Sequence, residues 1–208
     1  MEKEQYFSQG MEHLEAGRRK EAVVCLERAA GDEYAEAMVQ LGLIYNRYVP
    51  DYNGVPPDDK TAACWFMRAA YLDHIEGMFR TGFVYSHGLF GFGIPTARQA
   101  MYWFKRAAKL GHVEAMYEIG QMYDHCPYIR GGNRRNKRKA IKWFEKAARR
   151  GNRPAMVSLY NYLYDRIKPN KRKAAYWREQ AEKIPCDEIV QEDYPYDSLN
   201  PKLFTQED

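Results

Sequence analysis

One eight-residue phrase recurs along this chain and dictates most of what it can fold into. Met101-Tyr102-Trp103-Phe104-Lys105-Arg106-Ala107-Ala108 returns as Ile141-Lys142-Trp143-Phe144-Glu145-Lys146-Ala147-Ala148. An earlier copy, Ala63-Cys64-Trp65-Phe66-Met67-Arg68-Ala69-Ala70, keeps the pattern. Weaker copies end at Ala30 and surround Trp177. Ala30, Ala70, Ala108 and Ala148 are spaced 40, 38 and 40 residues apart, and Gly42, Gly82, Gly120 and Tyr160 keep the same spacings. So do the sets Ala37, Gly77, Ala115, Ala155 and Met38, Met78, Met116, Met156. Self-similarity at such a period is the mark of a stacked repeat architecture.

Each unit reads as two helices. The first carries apolar and small residues three and four apart, the stripe of a half-buried helix, with Ala and Gly where a partner helix crosses closely. The second carries Ala-x-x-Trp-Phe-x-x-Ala-Ala and is expected to stop at Gly31, Gly111 or Gly151. Trp and Phe are adjacent and cannot point the same way, so one faces the hairpin partner and the other the next repeat. The connectors inside each unit, such as Asn53-Gly54-Val55-Pro56-Pro57, are rich in helix breakers.

At these residues the chain resembles the Sel-one-like repeat family, a branch of the tetratricopeptide-like helical repeats. Lys139 to Ala148 follows the family's second helix nearly letter for letter, Gly120 and Tyr123 match the first helix, and Gly111-His112 matches the closing turn. The resemblance covers about residues 3–183. It implies an all-α, right-handed α-solenoid of about five two-helix repeats, at about 1–33, 34–73, 74–111, 112–151 and 152–184. Residues 185–208 form an acidic tail, expected to be partly docked or disordered. Departures sit at the ends: Cys25 and Leu26 stand for Trp and Phe, Tyr160 for Gly, and Arg178 for Phe. Terminal units of solenoids trade apolar for polar residues as caps.

The resemblance also implies that first helices line a concave groove. Shifting off the Leu-Gly-Tyr core register gives the expected groove residues Phe7 and Met11, Val39 and Leu43, Phe79 and Phe83, Tyr117 and Gln121, and Val157 and Asn161. Glu36, Asn46, Glu76, His87, Glu114, Asp124 and Tyr164 would rim them. An apolar, aromatic strip of this kind suits a protein or peptide partner. The expected function is therefore an adaptor that holds a partner protein, with an inhibitor or immunity-type role in a bacterial system as a specific form of it.

Charge supplies the alternative. Between Arg130 and Lys173 stand 16 Lys or Arg against Glu145 and Asp165, although the whole chain carries only +4. The surface of Arg130, Arg134, Arg135, Lys137 and Arg138 would serve a regulator or RNA-associated factor acting through residues 130–153. A protein partner is preferred over nucleic acid, since the repeat pattern itself accounts for Lys139 and Lys146.

No phosphate loop, dinucleotide fingerprint or nucleophile elbow occurs, so no catalytic residue and no cofactor are expected. His125-Cys126 is the only adjacent His-Cys pair and lacks companions at zinc-site spacing, so no metal is expected either. Cys25, Cys64, Cys126 and Cys186 lie far apart and read as reduced thiols of a cytoplasmic protein. No apolar run reaches the roughly 18 residues of a membrane span.

Overall fold

The structure, a computed structural model, describes residues 2–46, 54–87, 96–125, 133–164 and 170–185, without the side chains of His125 and of residues 133–135. Ten α-helices and no strand occur among the described residues. They are α1 (Glu2–Glu15), α2 (Arg19–Gly31), α3 (Ala35–Tyr45), α4 (Asp59–Tyr71), α5 (Ile75–His87), α6 (Ala97–Lys109), α7 (Val113–His125), α8 (Asn133–Ala148), α9 (Arg153–Tyr164) and α10 (Lys171–Glu182). Odd and even helices pair as antiparallel hairpins, and each hairpin packs on the one before it. The result is an all-α solenoid whose core lies in two clusters between neighbouring helices rather than at a single centre.

Within a hairpin the fit is glycine against phenylalanine. A Cβ placed on Gly42 would lie 2.4 Å from Cε1 of Phe66, one on Gly82 2.6 Å from Phe104, and one on Gly120 2.5 Å from Phe144. The missing side chain is the seat for the ring, and Phe104 and Phe144 are fully buried in it. Burying one such ring stabilises by about 1.5–3 kcal/mol. The first hairpin keeps the fit with other residues: Gly10 faces Leu26, and its Cβ would stand 2.8 Å from that side chain. In the last hairpin both members change together, and the guanidinium of Arg178 lies 6.0 Å from the ring centre of Tyr160.

The second helices α2, α4, α6 and α8 close in the same turn. The amide of His112 donates to the carbonyl of Ala107 and that of Gly111 to Ala108, the Schellman pattern. The residue at the left-handed position is Glu33 (φ 58°), Asp73 (φ 61°), Gly111 (φ 100°) and Gly151 (φ 90°) in successive units. Gly31 is therefore not the stop expected of it. It is the last residue of α2, and the reversal falls two residues later, on Glu33.

The residue after this turn caps the next first helix. Nδ1 of His74 accepts from the amide of Gly77 at 3.2 Å, Nδ1 of His112 from Ala115 at 3.2 Å, and Oδ1 of Asn152 from Ala155 at 2.8 Å. A side-chain acceptor here satisfies an amide that the helix leaves unpaired. From Cys186 onward the acidic tail lies outside the described residues.

Candidate partner-binding face

Helix α5 shows which directions of a first helix are already taken. Gly77 looks back at the preceding hairpin, where its Cβ would meet that of Ala69 at 2.7 Å. Gly82 seats Phe104 of its own hairpin. Phe79 looks forward and stacks on His112 of the next unit, with ring centres 4.4 Å apart and planes 21° apart. The remaining stripe carries Glu76, Arg80, Phe83 and His87. Its counterparts are Glu36, Gln40 and Leu43 on α3, Glu114, Glu118 and Gln121 on α7, and Pro154, Ser158 and Asn161 on α9. Neighbouring first helices α3 and α5 touch, so there the stripe passes from one unit to the next.

The expected groove divides in two on this frame. Leu43, Phe83 and Gln121 are half-buried and Asn161 is exposed, all on the free stripe. Val39, Phe79 and Val157 are only 4, 4 and 5 % exposed and are sealed inside the stack, which corrects their placement as groove residues. They sit about 100° round the helix from the free stripe, where the turn entering the next hairpin covers them. Phe7 obeys the same rule: it is half-buried with its ring 5.1 Å from that of Tyr34, while Met11 is half-buried. Tyr117 is half-buried against Phe144, and its hydroxyl receives Nε2 of Gln121 at 3.0 Å. Of the expected rim, Glu36, Glu114 and Tyr164 are exposed, and Asp124 accepts the hydroxyl of Tyr162.

The sequence reading missed the column Gln40, Arg80, Glu118 and Ser158, which is polar in every unit. The column one position earlier, Val39, Phe79, Tyr117 and Val157, is apolar or aromatic in every unit. That contrast was the available signal: a position apolar in all repeats is one that all repeats bury.

Two carboxylates on the stripe have opposite fates. Burial opposes ionisation of Glu76, but hydrogen bonds from His112 and Arg80 and the positive charge of Arg80 outweigh it, and its pKa is lowered to about 2. Its Oε2 lies 2.9 Å from Nε2 of His112 and its Oε1 2.6 Å from Nε of Arg80. Glu118 has no such partner: among the described residues no hydrogen bond or ion pair reaches it, and burial pushes its pKa up to about 7. The phenol beside it, Tyr117, is raised to about 12 by its own burial and by the charge of Glu118, against a hydrogen bond with Ser158 that lowers it.

The basic surface lies on the other layer of helices. Arg130 is outside the described residues, and Arg134 and Arg135 fall on the first turn of α8 with their side chains outside the description. Lys137 and Arg138 are exposed on α8. Lys139 lies 5.0 Å from the ring centre of Tyr123 and Lys146 4.1 Å from that of Trp143, so part of this charge covers aromatic faces of the stack. Among the described residues no group of three His, Cys, Asp or Glu side chains could hold a metal ion, and no helix is long and apolar enough to cross a membrane.

Stacked hairpins with one part-exposed stripe of first-helix side chains define a helical-repeat solenoid of the kind that serves as a protein-interaction scaffold. Residues 35–74, 75–112, 113–152 and 155–183 each match the Sel1 repeat, and the chain belongs to the Sel1 repeat family. Sel1 repeats mediate protein binding. Among solved structures the chain is similar to a Sel1 repeat protein from Oxalobacter formigenes, with a TM-score of 0.68, 23 % identity, and coverage of 79 % of this chain and 62 % of that one. It is also similar to the immunity protein Pa5087 from Pseudomonas aeruginosa (TM-score 0.51, 22 % identity, 77 % of this chain and 56 % of that one). A third likeness is to a putative sel1 repeat protein from Klebsiella pneumoniae (0.55, 17 %, 87 % and 86 %). The chain thus spans about six tenths of the length of the first two. No curated protein matches it.

Proposed function

We propose that this chain is a non-catalytic adaptor that holds a partner protein along the free stripe of its first helices. The observation that supports this most directly is the stripe itself, whose side chains on α3, α7 and α9, from Glu36, Gln40 and Leu43 to Pro154, Ser158 and Asn161, all stay part-exposed or exposed along one side of the first helices. The titratable groups that could suggest catalysis are spent on structure: Glu76 and His112 hold one unit to the next, and Arg80 pairs with Glu76 along its own helix. A specific form of the proposal is an immunity-type inhibitor that covers a toxic partner, and the likeness to an immunity protein of Pseudomonas aeruginosa lends it support. The free thiols of Cys25 and Cys64 suit a reducing cytoplasm.

The test is affinity capture from the native host with mass spectrometry, comparing the natural chain with a Phe83→Glu, Gln121→Arg double variant. A defined partner protein retained by the natural chain and lost by the folded variant is the expected result. Capture indifferent to these changes, or retention of RNA through Lys137 and Arg138 instead, would sink it.

A further inference from the structure

Resting on the stripe as the partner site, we infer that the partner presents a basic segment, one Lys or Arg of which docks on Glu118 beside Tyr117 and Gln121. Two independent observations carry this. The first is that Glu118 is a half-buried carboxylate without a hydrogen bond or ion pair among the described residues. A charge taken from water without a partner is costly, and such groups are ordinarily paired. Its counterpart one unit earlier, Arg80, is paired with Glu76, and its counterpart one unit later, Ser158, is engaged with Tyr117. Glu118 is thus left for a cation from outside.

The second is that charge differs between first and second helices in the middle of the stack. Helices α3, α5 and α7 carry five acids, Glu36, Glu76, Glu114, Glu118 and Asp124, against the single Arg80. Helix α6 carries Arg98, Lys105, Arg106 and Lys109 and no acid, and α8 is more basic still. In these middle units the stripe thus presents Glu36, Glu114 and Glu118, with Glu76 paired among them, on a chain whose net charge is +4. Complementary potentials steer a partner of opposite sign to such a face and repel one of like sign. Guanidinium or ammonium at Glu118 would be centrally placed, partly desolvated and flanked by an aromatic ring, the setting in which single contacts dominate affinity.

The test uses the full chain and fluorescein-labelled hexa-arginine, with hexaglutamate as the opposite probe, followed by anisotropy at about 50 mM salt where screening is modest. Hexa-arginine should bind and hexaglutamate should not. Glu118→Gln should weaken hexa-arginine about five- to tenfold, the scale of one charge-assisted contact. Glu114→Gln, at an exposed acid of the same stripe, should change it less. Because burial holds the Glu118 carboxyl near 7, it gains its charge between about pH 6 and pH 8, so binding should tighten over that range in the natural chain and much less in Glu118→Gln. Of the other ionisable groups, Tyr117 lies beside it and feels its charge, Glu114 stands one turn earlier on α7, and Arg80 holds the same stripe position on α5. The variant keeps every one, so their titration cancels in the comparison. A melting temperature of Glu118→Gln equal to or above that of the natural chain excludes unfolding.

Equal hexa-arginine affinity in Glu118→Gln, or an unchanged pH profile, would overturn the inference, as would preference for hexaglutamate. If the Phe83→Glu, Gln121→Arg variant still loses the native partner in that case, the stripe stands as a docking site and only the basic-segment assignment falls.

Discussion

Nε2 of His112 lies 2.9 Å from Oε2 of Glu76, a residue 36 positions earlier in the chain. The other nitrogen of the same ring accepts the amide of Ala115, which fixes the neutral tautomer with its hydrogen on Nε2, pointing at the carboxylate. One imidazole thus caps its own helix and grips the preceding repeat. His74 does likewise, accepting from the amide of Gly77 with Nε2 4.0 Å from Glu36. Tyr34 and Asn152 occupy the same position at the outer junctions, and neither makes this double contact.

The clasp makes stability depend on pH. The native pKa of Glu76 is depressed from 4.5 to about 2, so its contribution is fully present above about 4.5 and is lost as pH falls toward 2. Glu76→Gln should lower stability at neutral pH by about 1–3 kcal/mol, discounted for partial exposure. Its stability should also fall less steeply than the natural chain's between pH 4.5 and 2. Urea melts at pH 7 and pH 3 measure both; parallel acid slopes would contradict the assignment.

Gly120→Ala should destabilise by about 1–3 kcal/mol, because its Cβ would stand 2.5 Å from the buried ring of Phe144, which has nowhere to move. Adding Phe144→Leu should recover part of that loss. A double-mutant cycle by denaturant melts reads the coupling, and strictly additive losses would show that the two residues do not share a seat.

Glu33→Gly should raise stability by about 0.5–1 kcal/mol. Glu33 is exposed and holds φ 58°, a conformation that costs a non-glycine residue roughly 1–2 kcal/mol, part of which the freer unfolded glycine returns. Thermal melts decide it, and a lower midpoint would contradict the strain.

Phe79→Ala and Phe83→Ala should separate. Phe79 lies between Phe104 and His112, so its truncation opens a cavity and costs about 3–5 kcal/mol. Phe83 is half-buried at the edge of the core, with its ring on His87, so its truncation should cost less than that of Phe79 while weakening partner capture. Melting curves set beside capture yields distinguish them. Equal destabilisation would place Phe83 in the core.

Reading the sequence located the hairpins because their contacts are written into every copy: Gly120 with Phe144, Gly82 with Phe104. It misjudged the free stripe by one residue. Residues 79 and 80 both stand off the core register of α5, and only the rotation of the next hairpin decides which of them is covered. That rotation leaves no mark on the periodicity within one unit. It does mark the column across units, where Val39, Phe79, Tyr117 and Val157 contrast with Gln40, Arg80, Glu118 and Ser158. The double duty of His112 was hidden for a similar reason. Its family turn position was legible, but a contact to Glu76 requires knowing how two hairpins meet.

The imidazole clasps bind only the second unit to the third and the third to the fourth, so the chain has a histidine-latched middle, while its last unit is tied to the fourth by Tyr162 on Asp124 and Lys173 on Glu145 instead. Amide hydrogens of α1, α2, α9 and α10 should exchange earliest, as opening proceeds inward from either end. Glu118 belongs to the latched block, so the surface offered to a visitor lies in the part of the molecule that lets go last.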